Sequence, residues 1–211
     1  MGKGKISVKA FIVLTGLLLM LVFGTYNCHI KPPASTVAKT GQTESYRGYD
    51  DGYYQKGVEG PDPRFTDNGN GTVADNLTGL MWLKDANCIA TCYPECKFVA
   101  SFPEEPGVVL WNDALDIVTG INDGTYSKCG AGYDDWSLPN VRELHSLIDF
   151  RQYKPALPSG HPFVNVQDWN YWSSTTNAHF TDSAWRVGMR NGSVSDVTTH
   201  HNYVWPVRGG R

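Results

Sequence analysis

The chain has 211 residues, the length of one domain with additional segments, since single domains typically have about 100–200 residues. Its composition, 41% hydrophobic with 22 glycines and seven tryptophans, indicates a globular protein with many turns rather than long helices. From His29 onward 21 acidic residues outnumber 15 basic ones, a net charge of −6 that argues against a nucleic-acid-binding protein.

The N-terminus predicts an export signal. Lysines at positions 3, 5 and 9 precede the apolar run AFIVLTGLLLMLVFG, which is shorter than the ~20 residues of a membrane-spanning helix. We expect residues 1–28 to be a signal peptide or membrane anchor and the protein to lie in the cell envelope, at the surface or in the periplasm. Cys28 is a lipidation candidate, although Tyr26 and Asn27 differ from the small residues that usually precede a lipidated cysteine.

Four further cysteines predict a disulfide framework. An even number of cysteines in an exported chain favours two disulfides, with three connectivities open. A metal or iron–sulfur site is the alternative, but the segment CIATCYPEC has neither C-x-x-C spacing nor a nearby histidine. The cysteines concerned are Cys88, Cys92, Cys96 and Cys129.

Composition divides the remaining chain into two parts. Residues 29–60 are polar and rich in glycine, proline and tyrosine, which predicts a flexible tether and a lead-in. Residues 61–211 form the predicted domain. In it, short β-type runs near Thr72–Ala74 and Leu80–Leu83 alternate with Asn-Gly and Thr-Gly turns, a pattern typical of hairpins.

Two helices are predicted in the middle of the domain. In WNDALDIVTGIND, apolar residues recur at helical spacing, and Asn112 or Asp113 can cap the start. In LPNVRELHSLIDF, Asn140 and Glu143 fit a capping box. Two helices among short antiparallel strands define an α+β fold.

The segment AWRVGMRNG predicts a strand with two different faces. Trp185, Val187 and Met189 alternate with Arg186 and Arg190, so the apolar side chains should face the core and the arginines the solvent. The Asn-Gly pair that follows is a hairpin turn signal.

Motifs for chemistry are few. The stretch DNGNGTVAD offers oxygen atoms for calcium, but it lacks the EF-hand order, and tight turns require the same residue types. The sequence contains no G-x-S-x-G, Walker or H-E-x-x-H motif, so we expect no enzymatic activity and no cofactor other than calcium. The calcium candidates are Asp67, Asn68, Asn70 and Asp75.

Several stretches of the chain are recognisable in order: RFTDNGNGTVADNLTGLMWLKDANC, CGAGYDDWSLPNVRELHSLIDF, HPFVNV, YWSST and YVWPVRGG. Together, within a match from about Thr40 to the end, they resemble the Lcl C-terminal domain family, which is named after the C-terminal domain of a bacterial collagen-like adhesin. Ser137 stands where the family usually has arginine. The resemblance implies a C-type-lectin-like fold in which TGLMW pairs with YVWPVRG. The related formylglycine-generating proteins carry catalytic cysteines after RGG, and this sequence does not match them.

The resemblance also implies an adhesive function through sulfated glycans, on a basic surface of an oligomer. We therefore expect an exported, membrane-tethered binding domain with a glycan or a surface protein as ligand and no nucleic-acid partner. The alternatives are an envelope enzyme or enzyme accessory, and a scaffold subunit of a surface assembly. The predicted ligand-binding residues are Arg186, Arg190, His200, His201, Asn202 and Tyr203.

Overall fold

A computed structural model describes residues 37–100 and 104–209. In these residues the chain folds into short helices and short strands. The helices are α1 (Asp51–Tyr54), α2 (Cys88–Cys92), α3 (Lys97–Ala100), α4 (Trp111–Asn122) and α5 (Val141–Ser146), with a 3-10 helix at Ser127–Cys129. The strands are β1 (Phe65–Asp67), β2 (Thr72–Asp75), β3 (Met81–Leu83), β4 (Asn170–Thr176), β5 (Ala184–Gly188), β6 (Val194–Val197) and β7 (Val207–Arg208). The predicted export signal and Cys28 lie outside the described residues. Within those residues, every helix is too short or too polar to cross a membrane.

The strands form two antiparallel sheets. One has the order β1-β2-β3-β7, and the other has the order β4-β5-β6. Helices and antiparallel strands in one domain confirm the predicted α+β class. The strands predicted near Thr72–Ala74 and Leu80–Leu83 correspond to β2 and β3.

The last strand closes the first sheet. Met81 pairs with Arg208 and Trp82 pairs with Val207, so β7 lies beside β3 although 123 residues separate the two strands. This is the pairing of early and late segments that the resemblance implies. Just before β7, Tyr203 bridges Tyr171 of β4 in parallel. The C-terminal segment therefore joins both sheets.

The β5–β6 hairpin turns at the predicted Asn191-Gly192 pair. Val187 pairs with Val194, and Gly192 has a φ of 76°, a backbone conformation that side chains disfavour. A Cβ atom at Gly192 would lie 2.6 Å from Cγ2 of Ile148. Glycine is thus required both for the turn and for the close approach of the hairpin to the residues after α5.

Aromatic side chains fill the core between the sheets and helices. The rings of Trp82 and Trp205 pack edge to face at 5.7 Å, and Phe163 packs against Trp205 at 4.8 Å. Trp205 donates its Nε1–H to the Leu83 carbonyl at 2.8 Å. These ring contacts, together with the indole hydrogen bond of Trp205, fix the orientation of the neighbouring strands.

The two predicted helices differ in how they begin. The capping box of α5 is confirmed: the Asn140 side chain accepts hydrogen bonds from the amides of Arg142 and Glu143, and Glu143 accepts from the Asn140 amide at 2.8 Å. The predicted caps of α4 are wrong, because that helix begins at Trp111 after Leu110 and has no side-chain cap.

Candidate functional site

The polar lead-in, residues 37–60, is folded. Lys39 donates its backbone N–H to the Val58 carbonyl at 3.0 Å, within a parallel bridge that closes the segment into a loop. The Asp50 carboxylate accepts three backbone hydrogen bonds, from Tyr46, Arg47 and Tyr53, at 2.7, 3.0 and 2.9 Å. The lead-in therefore has its own hydrogen-bonded framework, although it lacks apolar periodicity. Residues 29–36 of the predicted tether lie outside the described residues.

Backbone contacts hold the lead-in against the loop after α5. The Phe150 amide donates to the Thr40 carbonyl at 3.0 Å. Gly41 has a φ of 93°, and a Cβ atom there would lie 2.3 Å from Oδ1 of Asp149. A glycine is needed at this point because the two chain segments come so close.

A cavity of about 830 Å³ lies between the lead-in and this loop. We call it the lead-in cavity. Its wall combines residues before β1 with residues after α5, so it exists because the lead-in is folded. The polar wall residues used below are Lys39, Gln42, Arg64, Arg151, Ser159 and His161.

Ion pairs neutralise the cations of the cavity wall. Lys39 pairs with Glu59. Arg151 forms a 2.8 Å pair with Asp149, and this hydrogen bond raises the pKa of the Arg151 guanidinium. Arg64 is paired too, at 2.8 Å with the buried carboxylate of Asp75. The wall therefore presents polar groups with little uncompensated charge.

Other polar groups of the wall are unpaired. Among the described residues, the side-chain amide of Gln42 and the Ser159 hydroxyl have no hydrogen-bond partner, whereas the Gln42 backbone N–H donates to the Thr40 hydroxyl; both residues line the cavity. The Nδ1 atom of His161 is buried without a partner. Burial lowers the pKa of His161 below its usual 6.5, although a backbone hydrogen bond with Phe163 opposes this shift, so the neutral imidazole predominates at neutral pH. A neutral imidazole both donates and accepts a hydrogen bond, as hydroxyl-bearing ligands require.

Two of the six predicted ligand-binding residues are buried. Asn202 is 0% exposed and Tyr203 is 7% exposed, so their side chains stabilise the C-terminal segment. Arg186 is half-buried and donates to Oδ1 of Asn202 at 3.2 Å and to Oγ of Ser195 at 3.1 Å. His200 is exposed and His201 is half-buried.

The two arginines that were predicted to share a face have different surroundings. Arg190 lies beyond the end of β5, so strand alternation does not apply to it. It donates to the Tyr153 hydroxyl at 2.8 Å and lies 3.8 Å from the Asp168 carboxylate. Arg208, at the end of the first sheet, pairs with Asp135 at 2.6 Å. Arg186, Arg190 and Arg208 are thus dispersed, and each has its own partners.

The calcium candidates occupy opposite ends of the β1–β2 hairpin. Asp67 pairs with Val73 next to the turn and binds Lys84 at 2.7 Å. Asp75 lies opposite Phe65 and binds Arg64. Between them, Asn68 donates to the Thr72 hydroxyl, and the Asn70 side-chain oxygen accepts from the amide and hydroxyl of Thr72. The side chains of all four calcium candidates thus take part in turn hydrogen bonds or ion pairs.

Residues 37–100 and 104–209 contain one disulfide where two were predicted. Cys88 is bonded to Cys129, which connects α2 to the 3-10 helix, while Cys92 and Cys96 are unbonded. α2 ends at Cys92, and a turn with a hydrogen bond from the Cys96 amide to the Tyr93 carbonyl follows. The prediction of a second disulfide is therefore wrong for this structure.

Sequence reasoning missed the lead-in cavity because residues 29–60 were interpreted as a tether and lead-in outside the core. Their polar composition does not reveal contacts with residues about a hundred positions later. The clustering of glycines with tyrosines and acidic residues was the available signal, since Gly41 and Asp50 organise the segment.

These features define a two-sheet α+β domain with an ordered N-terminal lead-in and a polar cavity between the two. Residues 71–208 match the sequence model of the family described as the Lcl C-terminal domain, so the chain belongs to that family. Membership indicates a surface-associated domain. No curated protein matches the chain. The matched region contains Arg151 and His161 but begins after Lys39 and Gln42, so the cavity combines family residues with the preceding segment.

Proposed function

We propose that this chain is a non-enzymatic, exported binding domain of the cell envelope, with a C-type-lectin-like fold, that binds a glycan in the lead-in cavity. The observation that carries the proposal is the cavity itself, about 830 Å³ with unpaired hydrogen-bonding groups in its wall. Pockets of about 300–1,000 Å³ with a few convergent polar groups are typical of small-ligand sites.

The wall chemistry supports a hydroxyl-rich ligand. Sugar hydroxyls both donate and accept hydrogen bonds, and the Gln42 amide, the Ser159 hydroxyl and the neutral imidazole of His161 do the same. A ligand that satisfies a buried polar atom such as Nδ1 of His161 removes the cost of leaving that atom unpaired.

The charges of the wall favour a neutral glycan over a sulfated one. Lys39 and Arg151 already pair with carboxylates, and a sulfate group would have to displace those partners. The alternative is a polyanion on the C-terminal hairpin. It is supported by Arg186, whose hydrogen-bond acceptors Ser195 and Asn202 are uncharged, which leaves the guanidinium charge without a contacting carboxylate.

A glycan array with neutral and sulfated members, probed with the full chain, tests the proposal. Ser159 is exposed at the cavity wall, so the indole of Ser159→Trp should obstruct part of the cavity and weaken binding of neutral glycans without disturbing the core. The matched control is the double variant Arg186→Ala with Arg190→Ala, which leaves the cavity intact.

The lead-in cavity and the C-terminal hairpin predict opposite binding results for these two variants. Weakened binding in Ser159→Trp and retention in the double variant supports the cavity. Binding of sulfated members only, lost in the double variant and retained in Ser159→Trp, would contradict the proposal and place the site on the hairpin.

A further inference from the structure

Three sulfur atoms form a cluster beside the core. Cys88 and Cys129 are joined in the disulfide, and Sγ of Cys92 lies 3.6 Å from Sγ of Cys88. All three sulfur atoms lie within 4.8 Å of one another. A free thiol in near contact with a disulfide sulfur can start thiol–disulfide exchange once its side chain has rotated into line with the S–S bond.

The sulfur atoms differ in their access to solvent. Cys88 is 7% exposed and Cys129 is 1% exposed, whereas Cys92 is only partly buried. A small thiol in solution therefore reaches the disulfide less readily than Cys92 does. The intramolecular thiol is also held at a fixed distance, which raises its effective concentration far above that of a dissolved thiol.

We propose that Cys92 is an exchanging thiol that shifts the disulfide from Cys88–Cys129 to Cys88–Cys92. The Cys92 thiolate attacks Sγ of Cys88, the Cys88–Cys92 bond forms, the Cys88–Cys129 bond breaks, and Cys129 leaves as a thiolate that takes up a proton. One disulfide is present before and after the step, so no oxidant or reductant is consumed.

The local fold permits the new bond. Cys88 and Cys92 are the first and last residues of α2, four positions apart on one helical face. A disulfide needs its Cβ atoms closer than helical neighbours normally lie, so α2 must deform. α2 is a single turn of five residues without a side-chain cap at Asn87, so little helical structure is lost.

Exchange changes what the disulfide holds together. The Cys88–Cys129 bond spans 41 residues and connects α2 to the 3-10 helix, whereas a Cys88–Cys92 bond closes a loop within α2. Loop-closure arguments assign more stabilisation to the longer loop. The shifted isomer therefore loses the covalent link between these two elements and gains a free thiol at Cys129.

Several groups control the thiolate that starts the step. Burial raises the pKa of the Cys92 thiol, the Asp85 carboxylate raises it further, and the Lys128 ammonium lowers it. Tyr93 and Cys96 follow in the adjacent turn. Exchange should accelerate as the pH rises, because the thiolate is the attacking species.

Peptide mapping of the full chain tests the exchange. The protein is incubated in mildly alkaline buffer without added thiol or oxidant, quenched with acid, unfolded and alkylated with N-ethylmaleimide before digestion. We expect alkylated Cys129 together with a Cys88–Cys92 disulfide peptide, in amounts that increase with incubation time. Cys92→Ser should reduce Cys129 alkylation to background, whereas Cys96→Ser should leave it unchanged.

Three results would overturn the proposal. Cys129 could stay unlabelled while Cys92 and Cys96 are fully labelled, or its labelling could persist in Cys92→Ser. Labelled Cys88 with a Cys92–Cys129 peptide would show that the attack occurs at the other sulfur. The wild-type measurement decides the first and third results, and the second applies to a Cys92→Ser variant that keeps the circular dichroism spectrum of the wild type.

Discussion

At the residue scale, the buried carboxylate of Asp75 has a single cationic partner, Arg64. The Asp75 side chain is fully inaccessible, and Arg64 contacts its two oxygens at 2.8 and 2.9 Å. Burial raises the pKa of Asp75, but the hydrogen bonds and charge of Arg64, with further hydrogen bonds from Thr78 and the Leu77 amide, together lower it below its usual 3.8. The ion pair thus connects the residue before β1 to the end of β2.

Asp75→Asn should lower the free energy of unfolding by about 3 kcal/mol at neutral pH, because it leaves a partly buried guanidinium without a counter-ion. Asp75 has a depressed pKa, so its contribution is fully present above pH 3.8 and is lost as the pH falls through the lower folded-state value. The difference between wild type and variant in urea titrations should therefore shrink in strong acid.

Asp67→Asn is the matched control, because its ion pair with Lys84 is exposed. It should lower stability much less than Asp75→Asn at neutral pH, and the two losses should converge in strong acid. Equal losses in the two variants at neutral pH would contradict the role assigned to the Arg64–Asp75 pair.

Asp67 and Asp75 were both predicted as calcium candidates because the sequence shows which residues carry oxygen ligands. It does not show which of these residues lie close together in the fold. The structure separates them by pairing β1 with β2 in a register that places them at opposite ends of the hairpin. A cation eleven positions away, Arg64, determines the environment of Asp75, and no local pattern indicates that contact.

At the element scale, the start of a helix could be predicted where the signal is local. Asn140 and Glu143 cap α5 through bonds that span three residues, so the sequence alone contains the information. The start of α4 is fixed instead by packing, including a hydrogen bond from Nε1 of Trp111 to the Ser173 carbonyl, 62 residues away. Asn112, the predicted cap, is exposed at the second position of the helix.

Asn140→Ala should lower the free energy of unfolding by about 1 kcal/mol, since it removes the acceptor for two helix amides. Asn112→Ala should change it by less than about 0.5 kcal/mol, because it removes a surface side chain without a cap bond. Chemical denaturation of both variants measures the difference. A larger loss in Asn112→Ala would mean that α4 begins where the sequence predicted.

The bounds of the lead-in could be predicted from the sequence, but its folded structure could not. Its segment carries no apolar repeat, because few of its side chains enter the core. Backbone contacts at Thr40 and Gly41 hold it against Asp149 and Phe150 instead. Such contacts depend on main-chain geometry, so the only sign of them in the sequence is the glycine at position 41.

At the scale of the whole molecule, the pairing of the two ends of the domain could be expected from the resemblance of TGLMW and YVWPVRG to a known family. The α+β class followed from turn signals and short apolar runs. The cavity could not be predicted from the sequence, because it forms only where the lead-in packs against the loop after α5. The proposed function depends on ligand binding in this cavity.

Nuclear magnetic resonance with the isotope-labelled chain tests this binding most directly. On titration with a neutral glycan identified on the array, the amide signals of Gly41, Gln42 and Gly160 should shift, since these residues line the cavity. The signals of Arg186 and His200 should stay in place. Shifts confined to the hairpin of Arg186 and His200, with Gly41, Gln42 and Gly160 unchanged, would contradict the account.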